Sequence, residues 1–255
     1  MRIAVCGLGR AGRALIHKIL TDKKDELCCA VCRDSSEKVG QDIGIFLGMR
    51  HLGIPVVPAC AAALELVQRH VDVVIDFSHK SMTLEMARIC ADHGISMAAC
   101  TTNFEENELL ELKKVAGQSE KGMVYAPNLT IGINLLMEFA GRISRLLPDF
   151  DFAIVERHCK DKKKVTTTAK KIADCIDREQ VPISAVRAGG YVGVHEVTAA
   201  NEHERLTIIH ESFSRAAFAD GALLAAAYIV DRKGYYEMSD VMRELETKML
   251  DGSGE

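Results

Sequence analysis

The stretch Arg2-Ile-Ala-Val-Cys6-Gly7-Leu-Gly9-Arg10-Ala11-Gly12-Arg-Ala-Leu-Ile16 decides the fold. Its first five residues form a short apolar run of the kind that a buried parallel strand requires. Its last residues begin a helical pattern, with Leu15, Ile16, Ile19 and Leu20 recurring on one face. Between them stand Gly7, Gly9 and Gly12 in G-x-G-x-x-G spacing, which has meaning only between a strand and a helix, as here. The first glycine permits the tight turn, the second lets a pyrophosphate approach the backbone, and the third lets helix and strand pack closely. The helix start at Arg10 and Ala11 then turns its N–H groups toward the phosphates. A dinucleotide-binding unit is the expectation.

Outward from this loop, the apolar run Leu27 to Cys32 reads as the second strand. It ends about twenty residues past Gly12, where the adenosine ribose belongs. There the chain reads Arg33-Asp34-Ser35-Ser36-Glu37-Lys38. Arg33, the serine hydroxyls and Lys38 suit a 2′-phosphate, since a guanidinium fork matches phosphate geometry, whereas Asp34 suits a free ribose hydroxyl. NADPH is favoured, with NADH possible. Further strands are expected near Val56, over 72–78, 95–99 and 123–126. Helices are expected at 42–47, 61–69, 81–93 and 105–116. This alternation predicts an α/β fold with a Rossmann-type doubly wound parallel sheet. Ligands bind such sheets at strand C-terminal ends, so Phe77, Ser78, Thr101 and Thr102 are placed beside the nicotinamide.

The rhythm changes at Ala126-Pro127-Asn128. A long helix over 133–147 is followed by strands at 150–156, 183–187, 191–199 and 204–212 around one helix at 167–178. That order predicts a second, smaller α+β domain with a mixed sheet. An alanine-rich helix over 213–230 closes the pattern. The expected division is residues 1–127 with 214–255 for the cofactor and 128–213 for substrate and assembly.

The 255 residues suffice for two modest cores, and 48% hydrophobic with 27% charged residues is ordinary for a globular protein. A net charge of -4 argues against nucleic acid or anionic membranes as partners. No apolar run approaches the ~20 residues that span a bilayer, and no secretory signal opens the chain. The nine cysteines are then expected to be reduced, in the cytoplasm. Cys29-Ala-Val-Cys32 has redox spacing but lies in an expected strand, where the two thiols would point to opposite faces. No metal site is expected.

A second stretch carries the chemistry: Glu156-Arg-His158-Cys159-Lys160-Asp-Lys162-Lys163-Lys164-Val-Thr166-Thr167-Thr168-Ala169. It follows the apolar strand 150–155 and precedes a helix start. A histidine, a thiol and four lysines in one loop beside a helix N-terminus offer a proton donor and an anion cradle together.

Taken in order, these pieces resemble the dihydrodipicolinate reductase family over nearly the whole chain. Besides the glycine loop, the resemblance rests on Asp76-Phe77-Ser78, on Thr101-Thr102, and on Ala126-Pro127-Asn128 with Gly132 and Asn134. It continues through Glu156-x-His158, Arg187-x-Gly189, Gly193-x-His195, Ser214-Arg215 and Phe218-Ala-x-Gly221-Ala. The resemblance implies a nicotinamide-dependent reductase of the diaminopimelate and lysine pathway, acting on a cyclic imine carboxylate and assembled as a homotetramer. It implies His158 and Lys162 as proton-donating and charge-holding groups. Cys159, Thr167, Thr168, Arg187 and His195 would contact the substrate. Pro127 and Asn128 would join Gly7, Gly9, Arg10, Ala11, Gly12, Arg33, Ser35, Phe77, Ser78, Thr101 and Thr102 around the cofactor. The chain departs from the family pattern E-x-H-H-x-x-K-x-D-x-P-S-G-T-A. Cys159 stands for the second histidine, Val165 to Thr167 for Pro-Ser-Gly, and the segment is one residue shorter. Cys100 and Asn103 replace both glycines of G-T-T-G. Two other readings stay open: a reductase of another imine or amino-acid-derived substrate, and a non-catalytic NADP(H)-binding regulatory protein.

Overall fold

In the computed structural model, which describes residues 1–162 and 164–250, the opening run forms β1 (Arg2–Cys6) and the glycine loop leads into α1 (Arg10–Asp22). Residues Ile3 to Cys6 are fully buried, as in a parallel strand covered on both faces. The alternation continues with β2 (Glu26–Cys32), α2 (Ile43–Phe46), β3 (Val56–Pro58), α3 (Ala62–Gln68), β4 (Val73–Asp76) and α4 (Lys80–His93). β5 (Ser96–Ala99), α5 (Glu106–Gln118) and β6 (Gly122–Tyr125) follow. Local chemistry sets the boundaries. α4 stops at Gly94, whose φ of 64° is left-handed, and α5 starts at a reciprocal capping box between Glu105 and Glu108.

Next come α6 (Ile131–Leu146), β7 (Asp151–His158), α7 (Thr167–Cys175), β8 (Ile183–Arg187), β9 (Gly193–Ala200) and β10 (Arg205–Ser212). α8 (Ala216–Ile229), β11 (Gly234–Glu237) and α9 (Met238–Leu250) complete the described chain. One sheet has the order β11-β6-β5-β4-β1-β2-β3 with every pairing parallel. It is the expected doubly wound Rossmann-type sheet, whose order reverses beside β1 and so opens a ligand crevice there. β11 adds a strand that periodicity did not reveal. Its four residues, half-buried Gly-Tyr-Tyr and an exposed Glu, carry too little apolar pattern, and pairing with β6 alone defines them.

The other sheet has the order β10-β9-β7-β8. β7 and β8 run parallel and the other pairs antiparallel, so it is the mixed sheet expected of the α+β part. Its core joins Phe152, Ile154, Val197 and Ala199 to Leu136 of α6 and Ile172 of α7. Burying each large side chain here contributes roughly 1.5–3 kcal/mol, which holds α7 and its N-terminus against β7. The chain divides into two compact units, Met1–Leu129 with Phe218 onward, and Thr130–Ala217.

Two expected boundaries moved. β7 runs on to His158, so Glu156 and His158 belong to the strand and share one face by its two-residue period. α7 ends at Cys175 rather than near 178. The Arg178 guanidinium donates instead to the carbonyls of Ser144 in the last turn of α6 and of Leu147 and Pro148 just beyond it, which draws the chain out of helix. Cys29 and Cys32 are both buried, and all nine cysteines are unpaired thiols. No helix among the described residues is long and apolar enough to cross a membrane.

Candidate active site

At the end of β1, Gly7 has φ +94°, and a Cβ there would lie 2.7 Å from the backbone of Phe77 and Ser78. A Cβ on Gly12 would lie 1.9 Å from the Gly7 carbonyl oxygen, so α1 runs directly against the loop. Gly9 differs. It is the N-cap of α1, it supplies no side-chain cap, and nothing lies within 4 Å of where its Cβ would be. The first turn, Arg10 to Gly12, contains no acidic residue. Such an opening, with bare N–H groups and free space before it, fits a phosphate.

A cavity of about 680 Å³ adjoins this loop, walled by Gly7, Gly9, Arg33, Ser35, Lys38 and Ser78 among others. Phe46 forms a further wall that sequence reasoning missed, since a lone aromatic in a one-turn helix carries no nucleotide signal. The Arg13 guanidinium and the Lys38 ammonium lie 4.8 and 4.9 Å from its ring centroid. The Asp34 carboxylate accepts from the Cys60 N–H at 2.9 Å.

At the end of β4, Asp76 is wholly buried. It accepts from the Ser78 N–H at 2.9 Å and from the Thr101 hydroxyl at 3.3 Å, while the Thr83 hydroxyl donates to Thr101 at 2.9 Å. Burial pushes its carboxyl above the ordinary range, against the lowering by Ser78, Thr83 and Cys6. The Thr101 hydroxyl is therefore directed inward, tying two strand ends together. Thr102 is exposed, and Phe77, Pro127 and Asn128 are half-buried. Asn103 takes φ +66°, so the residue standing for a family glycine is a type that tolerates the left-handed region.

In the second unit, strand register assembles the site. Glu156 pairs with His195 across β7 and β9, and His158 pairs with Arg187 across β7 and β8. Glu156 is completely buried. Its carboxylate accepts from the Thr166 N–H at 3.1 Å, from the Thr166 hydroxyl, and from the Arg187 guanidinium. The Nε2 atoms of His158 and His195 each stand 3.9 Å from Glu156 Oε2. The two imidazoles meet edge to face with centroids 5.4 Å apart. His158 Nδ1 donates to the Val192 carbonyl at 3.1 Å. That bond assigns the tautomer and leaves Nε2 with a lone pair, buried and without a hydrogen-bond partner among the described residues. Gly193 makes room for the ring, since a Cβ there would lie 3.0 Å from His158 Cε1.

Electrostatics keep these imidazoles neutral. Burial lowers His158, offset by the nearby Glu156 charge and the Val192 bond, while Lys162 and Arg187 lower it further. His195 is pushed down to about 4, first by burial and then by His158. Glu156 moves the other way from most buried carboxyls. Burial alone would raise it, but the Thr166 hydroxyl, Arg187 and the Thr166 N–H together hold it below the ordinary range.

The family models match this architecture in order. "Dihydrodipicolinate reductase, N-terminus" covers residues 1–129 and "Dihydrodipicolinate reductase, C-terminus" covers 132–242. The chain belongs to the dihydrodipicolinate reductase family. A relative in Methanopyrus kandleri, 4-hydroxy-tetrahydrodipicolinate reductase, is 33% identical over 92% of this chain and 93% of its own. The relative of that name in Methanocaldococcus jannaschii is 30% identical over 97% of this chain and 99% of its own. A dipicolinate-bound dihydrodipicolinate reductase from a Paenisporosarcina species shares the fold, with a TM-score of 0.75 at 22% identity over 93% of this chain and 97% of that one. This dihydrodipicolinate reductase family member is accordingly an NAD(P)H-dependent oxidoreductase.

The departures from the family pattern have structural consequences in this reductase. Thr166, not Thr167, is the N-cap of α7, and its hydroxyl accepts from the Ala169 N–H at 3.1 Å. Thr167 is exposed and Thr168 half-buried in the first turn. Cys159 is half-buried, its N–H donating to the Tyr191 carbonyl at 3.1 Å, and Lys160, Lys162 and Lys164 are exposed. Lys163 lies outside the described residues. Glu156, His158 and His195 bring one ligand atom each within 4.8 Å of one another. Arg187 and Thr166 hydrogen-bond the carboxylate, while both imidazole Nε2 atoms stand outside hydrogen-bond range of it at 3.9 Å. Sequence reasoning assigned no site role to Glu156 or Thr166. The signal was present, since Glu156 and His158 alternate on one strand face and Thr166 precedes a helix as a cap.

Proposed function

We propose that this reductase acts on a cyclic unsaturated imine carboxylate, 4-hydroxy-tetrahydrodipicolinate in the first instance. Residues 1–127 with 214–255 serve the cofactor, and 128–213 hold the substrate. The observation that carries this reading is His158, a strand-borne imidazole with Nδ1 fixed on a carbonyl and a buried Nε2 beside a lysine-rich loop and a helix start. A bound dihydronicotinamide supplies a hydride to the electron-poor carbon of the substrate double bond. The neighbouring atom needs a proton, and His158 Nε2 delivers it. The protein's own groups hold His158 neutral. Substrate carboxylates favour its charged form, so the proton enters with the substrate. Lys162 holds developing negative charge. Thr167 and Thr168, at the positive end of α7, receive a carboxylate, with Cys159 and His195 beside them. Arg187 acts on the loop, through the carbonyls of Lys162 and Lys164.

Arg33, Ser35 and Lys38 receive the 2′-phosphate of NADPH. The bond from Cys60 to Asp34 supports this preference, because it engages the carboxylate that follows Arg33, the position suited to a free ribose. Arg10, Ala11 and the three glycines take the pyrophosphate. Phe77, Ser78, Thr102, Pro127 and Asn128 line the nicotinamide end, with Thr101 supporting from behind. Exposed Val186 and Ile209 on the four-stranded sheet support assembly into a homotetramer through that sheet. The nine free thiols suit the cytoplasm.

The test is NADPH oxidation with 4-hydroxy-tetrahydrodipicolinate formed in situ. Wild-type protein turns over, and His158→Ala or Lys162→Ala loses on the order of 10²–10⁴ in kcat while cofactor affinity stays. Undiminished turnover in both variants refutes the assignment. Turnover confined to other cyclic imines changes the substrate and leaves the residue roles in place.

A further inference from the structure

Arg187 looked like a substrate contact in sequence, but its donors are engaged by acceptors of the protein itself. Nε donates to the Lys162 carbonyl at 2.7 Å, and Nη2 donates to the Lys164 carbonyl at 2.8 Å and to Glu156. Nη1 donates to its neighbour's carbonyl, Val186, at 2.9 Å. On the far side of the pair, Glu156 accepts from both the N–H and the hydroxyl of Thr166, the cap of α7. The segment between β7 and α7 is thus gripped at Lys162, Lys164 and Thr166 by one ion pair. We infer that Glu156 and Arg187 are positioning residues, a clasp that sets the shortened loop so that His158, Lys162 and the start of α7 stand in working order.

This inference rests on the proposed reaction and adds to it. A fork is needed, because the Lys162 and Lys164 carbonyls and Glu156 are met by donors on two separate nitrogens, Nε and Nη2, whereas the three donors of a lysine all radiate from one flexible point. The carboxylate is needed because a guanidinium turned inward and left unpaired is strongly unfavourable. The pair also faces His158 with opposite signs. The charged or titratable groups around that ring are Glu156 on its own strand, Arg187 on β8, His195 on β9 and Lys162 on the loop. Glu156 favours the imidazolium, and Arg187 and Lys162 oppose it.

Three variants separate the clasp from plain stability. Glu156→Gln and Arg187→Gln each lower kcat on the order of 10- to 100-fold, the cost of small misplacement of reacting groups, with NADPH affinity unchanged. Their pH profiles shift in opposite directions. In Glu156→Gln the limb of kcat/KM that requires protonated His158 moves to lower pH, and in Arg187→Gln it moves to higher pH. Arg187→Lys keeps the charge and loses the fork, so kcat falls and the limb stays. Amide hydrogen exchange supplies a readout independent of turnover, with Thr166 and Ala169 losing protection in all three variants. Unchanged exchange overturns the clasp, as do limbs that shift together in the two glutamine variants. If wild-type protein shows no reductase turnover, the proposed reaction fails, and the exchange result still decides the clasp.

Discussion

The two helix starts, one in each unit, solve the same electrostatic problem in different ways. α1 opens at Gly9 with no capping side chain, no acidic residue in its first turn and open space before it. α7 opens at Thr166, whose hydroxyl caps Ala169 and whose own N–H is bound to a buried carboxylate. In the proposed reading, the first start offers its backbone to the ligand, and the second, part of whose backbone is bound internally, relies on side chains: threonine hydroxyls, the loop lysines and His158. A backbone site needs glycine and close packing, and little else about its sequence matters. A side-chain site can be rebuilt residue by residue while its scaffold stays, which is where this chain departs from the family pattern.

The largest effect should come from closing the backbone site. In Gly12→Ala the new Cβ would sit 1.9 Å from the Gly7 carbonyl oxygen, so loop and helix must separate. Overpacking of that kind costs about 1–3 kcal/mol, enough to raise the NADPH Kd on the order of 100-fold. Isothermal titration checks it, and unchanged affinity would mean that α1 and the loop yield independently. An intermediate effect is expected at Arg33. Arg33→Ala should weaken NADPH about tenfold or more, the worth of a charge-assisted hydrogen bond, and leave NADH nearly unaffected. Equal losses for both would remove the 2′-phosphate assignment. The smallest effect distinguishes the second start from the first. Because loop lysines are exposed, raising ionic strength from 0.1 to 1 M shortens the screening length from about 10 to 3 Å. The KM of a dicarboxylate substrate should then rise by roughly a few-fold, more than that of its monocarboxylate analogue. Salt-independent dicarboxylate binding would show that Thr167 and Thr168 alone form the cradle.

The fold was legible where its causes are local. Turn, close approach and helical period lie within fifteen residues at the N-terminus, and each requirement names its residue: Gly7 for a positive φ, Gly12 for the contact with α1. The parallel sheet followed from alternating apolar runs, except for β11, whose identity as a strand depends on a neighbour in β6. The end of α7 was misplaced for a similar reason, since Arg178 is drawn to carbonyls roughly thirty residues away in sequence.

The sequence by itself determined the nucleotide loop, the two-part α/β and α+β plan, and the histidine and lysines from which the chemistry is argued. Only the tertiary structure decided how they are held. Glu156 reaches Thr166 across 10 residues of chain and Arg187 across 31, and His195 joins them only through the register of β7 with β9. Composition shows a glutamate and an arginine as two ordinary surface charges. Burial beneath α7 makes them a pair, because a carboxylate removed from water stays ionised only where donors converge on it.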